Sequence, residues 1–152
     1  MKPKKIKLNK FDDERGYLLE LLPKKFKNIF KYSIITSSKK NVIRGLHYDK
    51  LLNEKKLIYV LKGKILDVTV DIKKNTKIYY NKLKEGDALF IPSKFAHGYK
   101  CLAKENILIY FLSENYNPKH QKGIFWKDNK LKIKWSIKDP IISIKDKMLP
   151  NL

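Results

Sequence analysis

The chain has 152 residues, of which 43% are hydrophobic and 12% aromatic; this composition is typical of one packed domain and excludes a disordered tail. The formal charge of +20 comes from 35 lysines and arginines against 15 acidic residues, and only Arg15 and Arg44 are arginines. Because base readout and bidentate phosphate contacts favour arginine, this charge predicts attraction of small anions and argues against specific nucleic-acid binding.

The predicted elements are mostly short strands. Apolar segments bounded by turn residues predict strands at 16–22, 32–36, 57–72, 87–93 and 105–112. The segment 57–72 contains a predicted turn at Lys62-Gly63, and a helix of a turn or two is predicted at 24–31. Further turns are predicted at Lys74-Asn75, Glu85-Gly86-Asp87 and Asn117-Pro118. Such a series predicts a single all-β domain over residues 1–152, a jelly roll with one or two short helices. The segment from about Gly123 is expected to wrap the barrel as an ordered loop.

The sequence also predicts a compartment. The basic N-terminus is not followed by an apolar stretch, and no apolar run approaches the roughly 20 residues that span a bilayer. The only cysteine, Cys101, excludes an internal disulfide. We therefore expect a cytoplasmic protein with neither a signal peptide nor a membrane segment.

Two of the three histidines, His47 and His97, fall at or near the ends of predicted strands. Together with Asp49 and Glu54 they resemble the two half-motifs of a metal-binding cupin, although Asp49 stands where such cupins carry a second histidine. Oxygen and nitrogen ligands of this kind suit Mn, Fe or Zn. The alternative for His97 is a buried, hydrogen-bonded histidine at a strand end, and both hypotheses stay open at this point.

A more specific resemblance is carried by six segments that occur in order along the chain. They are "DERGYLLEL" (13–21), "NVIRGLH" (41–47), "KLIYVLKGKILDVTVDIK" (56–73), "IPSKFAHG" (91–98), "IYFLSENYNPKHQKGIFWKD" (109–128) and "IISIKDKMLP" (141–150). In order and spacing they resemble the dTDP-4-dehydrorhamnose 3,5-epimerase family over nearly the whole chain. The resemblance implies a cupin-type jelly roll (double-stranded β-helix), a homodimer, and catalysis without a metal or organic cofactor.

The resemblance also implies a reaction. The substrate would be a dTDP-4-keto-6-deoxyhexose, inverted at C3, at C5 or at both, on the way to a deoxysugar such as rhamnose for surface polysaccharide. The C4 ketone acidifies the hydrogens at C3 and C5. Epimerisation then needs a base, a group that stabilises the oxyanion, and an acid on the face opposite the base.

Four residues match the family's catalytic positions. By resemblance, His47 is the base, Asp146 the carboxylate that hydrogen-bonds it, Lys56 the cation beside the C4 oxygen, and Tyr110 the acid of the opposite face. An imidazole, with a pKa of about 6.5, accepts a proton at neutral pH, whereas a phenol, with a pKa of about 10, holds its proton until a carbanion takes it. If the resemblance is set aside, each residue has another interpretation. Asp146 is then a solvated loop charge, Lys56 is a surface lysine like Lys55, and Tyr110 is a core aromatic residue.

The resemblance places six further residues at the substrate: Arg15, Glu20, Arg44, His97, Tyr32 and Tyr116. The two arginines fall on positions that contact the nucleotide diphosphate or order the pocket, where a planar guanidinium fork has no lysine equivalent. Arg15 would reach the site of a neighbouring subunit. The rival hypothesis is a structural arginine that bridges a buried carboxylate such as Glu20. His97 is expected to position the substrate, and Tyr116 to line the pocket or support it.

The chain also departs from the family pattern. Tyr32 and Ile34 stand where the family carries Gln and Asn facing the substrate, and Lys73 replaces an arginine. These changes leave the sugar, the nucleotide and the number of inverted centres open. Two alternative functions follow: a nucleotide-sugar 3,4-ketoisomerase on the same scaffold, and a non-catalytic cupin that binds a sugar or a metal.

Overall fold

Two five-stranded antiparallel sheets and one separate hairpin form the fold of the computed structural model, which describes residues 1–73 and 76–152. The strands are β1 (Lys4–Ile6), β2 (Asn9–Asp13), β3 (Gly16–Glu20), β4 (Tyr32–Lys39), β5 (Ile43–Asp49), β6 (Lys56–Lys62), β7 (Lys64–Asp71), β8 (Ile78–Lys84), β9 (Ala88–Ile91), β10 (Phe95–Cys101), β11 (Glu105–Leu112) and β12 (Gln121–Gly123). A 3₁₀ turn at Lys24–Phe26 and helix α1 (Ile144–Lys147) complete the described elements. One sheet has the order β1-β9-β6-β11-β4, the other β12-β5-β10-β7-β8, and β2 pairs with β3.

The two sheets share a core, as a jelly roll requires. Ile58 and Leu108 of the first sheet pack with Ile65, Leu83 and Tyr99 of the second. In β11 the even-numbered residues from 106 to 112 are buried, so one face of this strand lines the interior. The all-β prediction is therefore confirmed.

The outer faces of both sheets are also covered. The N-terminal segment places Ile6 and Phe26 over β6 and β9. The segment after β12 places Leu131 and Trp135 over Val68 of the other sheet. The prediction that the chain from about Gly123 wraps the barrel is thus confirmed, with α1 as a short helix inside it. Because both faces are covered, β6 and β10 are buried almost continuously and show little alternation.

The predicted elements largely match the observed strands, but several were missed. The segment 57–72 forms β6 and β7 around Gly63, and the helix predicted at 24–31 is only a 3₁₀ turn. Six strands were not predicted, because neither clear alternation nor a pure apolar run marks them: β1, β2, β5, β8, β10 and β12. His97 does not follow a loop beyond a strand end, as expected, but lies inside β10. The turn predicted at Lys74-Asn75 lies outside the described residues, and within those residues no helix is long and apolar enough to cross a membrane.

The pairing of β5 with β10 brings the two histidines together. His47 lies opposite His97, and the register shifts by a bulge between His97 and Tyr99. At this point the two backbones approach closely: a Cβ on Gly45 would lie 2.6 Å from the carbonyl oxygen of His97 and 2.7 Å from the Cα of Gly98. Gly45 also has a φ of +105°, which side-chain-bearing residues rarely adopt. The glycine of "RGLH" therefore allows β5 to lie against β10.

We expect Gly45→Ala to destabilise the fold by about 3 kcal/mol, because backbone atoms must move to admit the methyl group. Gly86→Ala is the matched control, since Gly86 also has a positive φ but open space around its Cα; it should cost only about 1–2 kcal/mol. Urea unfolding of both variants measures the difference, and equal losses would contradict a role for the close approach.

Candidate active site

One cavity of about 410 Å³ opens between the two sheets. Eight of the ten residues predicted for the site line it: Tyr32, Arg44, His47, Lys56, His97, Tyr110, Tyr116 and Asp146. Both sheets contribute, because β4, β6 and β11 supply one wall while β5 and β10 supply the facing wall. Residues separated by more than a hundred positions in sequence, such as Tyr32 and Asp146, therefore meet around a single space.

His47 and Asp146 form a hydrogen-bonded pair at this cavity. His47 Nε2 lies 2.8 Å from Asp146 Oδ1, and the backbone N–H of Gly45 donates to Asp146 Oδ2 at 3.0 Å. Ser143 caps α1 by accepting the backbone N–H of Asp146, which fixes the carboxylate at the start of this helix. Asp146 is only 5% exposed, so its interpretation as a solvated loop charge is wrong.

The electrostatics of this pair favour an ionised carboxylate. Burial opposes ionisation, but the hydrogen bond and charge of His47, together with the N–H of Gly45, outweigh it and lower the pKa of Asp146 below its ordinary value. An imidazole that donates Nε2–H to a carboxylate carries its lone pair on Nδ1 and accepts a proton there. The pair is therefore built to take up one proton from a ligand in the cavity.

Lys56, the first residue of β6, lines the cavity. Its Nζ lies 3.0 Å from Glu54 Oε1, and both side chains are nearly buried. Lys55 is exposed, so the choice between the two neighbouring lysines is resolved in favour of Lys56, and the surface interpretation of Lys56 is wrong. Glu54 is its counter-ion, a partnership that sequence reasoning missed when it considered Glu54 only as a metal ligand.

Tyr110 contributes a phenol to the wall formed by β4, β6 and β11. It lies on β11, where it is 7% exposed and lines the cavity. Burial raises the pKa of Tyr110 well above its ordinary value, and the nearby Tyr99 hydroxyl and Asp67 carboxylate add to this shift. The residue is thus both a core aromatic and a cavity residue, and it keeps its proton at every pH near neutrality.

A second histidine–carboxylate pair lies deeper in the molecule. His97 Nε2 is 2.6 Å from Asp67 Oδ2, and the two side chains are 4% and 0% exposed. Asp67 also accepts a hydrogen bond from Thr69 Oγ1. The ring of His97 meets the edge of the Tyr110 ring, with centroids 6.0 Å apart. The expectation of a buried, hydrogen-bonded histidine is confirmed, although not at a strand end.

Sequence reasoning missed Asp67 as a site-supporting residue. It lies inside the segment 57–72, which was predicted only as strand, in the part that forms β7. The one available signal was a carboxylate among apolar residues, since a buried charge needs a partner. Asp67 does not itself line the cavity. The missed residues that do line it are Thr36, Glu54, Tyr99, Leu112, Gln121, Ser143 and Lys145.

Arg44 lies on β5 beside this cavity. Its Nε donates to Ser38 Oγ at 3.0 Å and its Nη2 to the carbonyl oxygen of Ser37 at 3.3 Å. The rival hypothesis of a bridge to a buried Glu20 is wrong, because Glu20 is exposed and accepts a hydrogen bond from Asn9 instead. Anchored on one side by neutral groups, the guanidinium adds positive charge to the cavity wall.

Arg15 and Glu20 do not line the cavity of their own chain. Arg15 occupies the turn between β2 and β3, where its Nη2 lies 2.6 Å from Asp13 Oδ2. The hydrogen bond from Arg15 lowers the pKa of Asp13. A substrate contact by either residue requires a second subunit and stays a prediction.

The four candidate metal ligands do not converge: His47, Asp49, Glu54 and His97 each have another partner. Asp49, for example, accepts the backbone N–H groups of Leu51 and Asn53 and so shapes a local turn. Among residues 1–73 and 76–152, no three His, Cys, Asp or Glu side chains are grouped so that they could hold a metal ion. The metal-binding alternative built on this set is therefore wrong.

Known proteins resemble this chain in sequence and in structure. A family model described as dTDP-4-dehydrorhamnose 3,5-epimerase matches residues 3–152. A dTDP-4-dehydrorhamnose 3,5-epimerase of Methanothermobacter thermautotrophicus is 34% identical over 90% of this chain and 82% of its own length. One from Shigella flexneri is 33% identical over 90% of this chain and 83% of its own.

Solved structures give the same result. The Bacillus anthracis dTDP-4-dehydrorhamnose 3,5-epimerase with TDP and PPi bound superposes with a TM-score of 0.89 at 33% identity, covering 99% of this chain and 94% of that one. A Legionella pneumophila 3,5-epimerase in complex with dTDP-4-keto-L-rhamnose gives a TM-score of 0.86 at 28% identity, covering 98% and 87%. The predicted cupin-type fold is thereby confirmed. The chain belongs to the dTDP-4-dehydrorhamnose 3,5-epimerase family and is an epimerase of the isomerase class.

Proposed function

We propose that this chain inverts C3, C5 or both of a dTDP-4-keto-6-deoxyhexose, by removing a proton beside the C4 ketone and returning one on the opposite face. The observation that carries the proposal is the single cavity lined by His47 from one sheet and by Lys56 and Tyr110 from the other. A base and an acid on different walls are what inversion of a carbon requires.

His47 acts as the base in this mechanism. The C–H bond breaks, the proton moves to the imidazole, and the electron pair passes into the enolate with its charge on the C4 oxygen. Asp146, held ionised by its hydrogen bonds, stabilises the imidazolium that forms. The dyad thus removes a proton without losing its orientation.

Lys56 and Tyr110 complete the step on the other wall. The Lys56 ammonium, fixed by Glu54, stabilises the developing oxyanion. Tyr110 then gives its hydroxyl proton to the carbon from the opposite face. Solvent returns a proton to the phenolate and takes up the proton held by His47, which restores both groups. The raised pKa of Tyr110 keeps the phenol protonated until the carbanion forms.

The positive charge at the cavity supports the proposal that the substrate carries a nucleotide. Arg44 and Lys145 line it, and a guanidinium binds phosphate oxygens through two parallel N–H groups. The TDP held by the Bacillus anthracis relative and the dTDP-4-keto-L-rhamnose held by the Legionella pneumophila relative support a dTDP-sugar. The product would feed deoxysugar synthesis for surface polysaccharide in the cytoplasm.

A homodimer is the proposed assembly. The β2–β3 hairpin carries Phe11, Tyr17 and Leu18, each more than half exposed, and Arg15 at its turn. Exposed large apolar side chains grouped in this way mark an interaction surface. A second copy that covered them would bring Arg15 and Glu20 toward a neighbouring cavity.

Solvent deuterium exchange tests the mechanism. With dTDP-4-keto-6-deoxyglucose in D₂O, the chain should label C3, C5 or both, as read by NMR. His47→Ala should lower this exchange by about 10²–10⁴-fold, because the base is lost. Tyr110→Phe should keep the exchange while inversion at C5 falls by a similar factor, because only reprotonation is impaired.

His120→Ala is the control, since this third histidine lies outside the cavity lining. It should exchange at the wild-type rate. Unchanged exchange in His47→Ala would contradict the base assignment, and undiminished inversion in Tyr110→Phe would remove Tyr110 from the acid role. Movement of the carbonyl to C3 would instead favour a ketoisomerase.

Asp146→Asn tests the dyad through pH. The folded-state pKa of Asp146 is below its ordinary value of 3.8, so its stabilising contribution is present above pH 3.8 and is lost as pH falls through the lowered pKa. The difference in unfolding free energy between wild type and Asp146→Asn should therefore be largest near neutrality and should decrease below pH 3.8. Urea unfolding measures it, and a gap that stays constant to acid pH would contradict the assignment.

Leu18→Lys tests the dimer. A charge on the exposed hairpin should disrupt the apolar contact between the subunits. The mass measured by sedimentation should then fall from that of a dimer to that of a monomer. Tyr80→Lys is the control and should stay dimeric, because Tyr80 is an exposed aromatic residue on the edge strand β8 and belongs to neither the hairpin nor the cavity lining. A monomeric wild-type chain would refute the proposed assembly.

A further inference from the structure

Three cations line the cavity, and they differ in how their charge is balanced. Lys56 Nζ lies 3.0 Å from Glu54 Oε1, and the two side chains are 10% and 6% exposed. Arg44 instead donates to a hydroxyl oxygen and to a carbonyl oxygen, which are both neutral. Within residues 1–73 and 76–152, neither Arg44 nor Lys145 forms an ion pair. In this part of the chain, Lys56 is therefore the one cavity cation with a carboxylate partner.

An ion pair acts differently on near and on distant groups. An atom that contacts the ammonium is attracted mainly by that group, because Coulomb energy falls with distance and the carboxylate is farther away. At larger separations the two opposite charges largely cancel, whereas an unbalanced cation attracts anions throughout a cavity. Lys56 can thus act on one oxygen that touches it without attracting every anion that enters.

The proposed substrate makes this distinction important. A dTDP-4-keto sugar carries two groups that a cation can bind: the C4 oxygen, which is neutral until the enolate forms, and the diphosphate, which is already negative. If all three cavity cations were unbalanced, the diphosphate could bind at Lys56 as well as at Arg44 or Lys145. A molecule held by Lys56 in that way would fill the cavity with its ketone in the wrong place and would not react.

We infer that Glu54 sets the orientation of the substrate. By balancing the charge of Lys56, it keeps the diphosphate away from that lysine and leaves it to Arg44 and Lys145, so that Lys56 stays available for the C4 oxygen. The inference rests on the proposed function and adds to it a positioning residue that acts through Lys56 and suppresses non-productive binding.

Binding of inorganic pyrophosphate tests the charge balance without any turnover. Glu54→Gln removes the negative charge but keeps the side-chain length and an oxygen that can accept a hydrogen bond from Lys56. The variant should bind pyrophosphate about tenfold more tightly than wild type, because the ammonium is then uncompensated. Isothermal titration calorimetry at low salt measures the difference. Glu54→Met removes the same charge should Glu54→Gln fail to fold.

Steady-state kinetics give a second, independent measurement. With dTDP-4-keto-6-deoxyglucose, Glu54→Gln should lower kcat and KM by similar factors and leave kcat/KM nearly unchanged, because wrongly oriented molecules occupy the cavity without reacting. A residue that only held Lys56 in place would behave differently. Its loss would lower kcat/KM along with kcat, since the lysine would no longer stabilise the transition state.

Two further variants serve as controls. Glu114→Gln removes the same unit of charge from a carboxylate that borders a neighbouring cavity but does not line this one, and it should leave pyrophosphate binding unchanged. The double variant Glu54→Gln, Lys56→Gln removes both charges of the pair. It should bind pyrophosphate about as tightly as wild type, because the net charge of the cavity is restored.

Three results would overturn the inference and leave the proposed function intact. They are an unchanged pyrophosphate affinity in Glu54→Gln, equal gains in Glu54→Gln and Glu114→Gln, and binding by the double variant about tenfold weaker than by wild type. The last result would mean that Lys56 itself holds phosphate in the wild-type chain. Absence of deuterium exchange by wild type would overturn the proposed function and the inference with it.

Discussion

The close pairing of β5 with β10 is the constraint on which the rest of the site depends. It places His47 opposite His97, and Gly45 permits it because a side chain there would strike the backbone of β10. Each histidine then meets its own carboxylate from a third element, Asp146 from α1 and Asp67 from β7. If the two strands moved apart, both pairs would lose their geometry together.

The two pairs differ in burial, and this difference divides their roles. The His47 side chain is 36% exposed and opens on the cavity, whereas His97 and Asp67 are almost completely enclosed. The His47–Asp146 pair is suited to exchange protons with a ligand. The His97–Asp67 pair supports the floor of the cavity beside Tyr110. Burial acts on both proposed proton-transfer sides: at Asp146 the hydrogen bonds and charge of His47 outweigh it and lower the pKa of the carboxyl, whereas at Tyr110 it raises the pKa of the phenol, so the two sides keep opposite protonation states.

The positions of the two arginines explain why the chain uses arginine there and lysine elsewhere. Arg44 lies at the cavity and Arg15 on the exposed hairpin, while lysine supplies nearly all other positive charge. Where a lysine does line the cavity, as Lys56 does, the proposed task is to supply a point charge beside an oxygen, for which an ammonium suffices. Planar recognition of phosphate oxygens is the task that lysine cannot perform.

The sequence by itself determined the all-β class, the wrapping C-terminal segment and, through ordered motifs, about half of the residues that line the cavity. It did not determine which of those residues touch, because His47 and Asp146 are 99 positions apart and His97 and Asp67 are 30 apart. Local sequence patterns predict that a segment is a strand but not which side chains meet across the fold, so Asp67 was only one residue of a predicted strand and Asp146 had the alternative of a solvated charge. Strand pairing and the docking of α1 decided those partnerships, since only the folded chain removes both groups from water and obliges each carboxylate to find a donor.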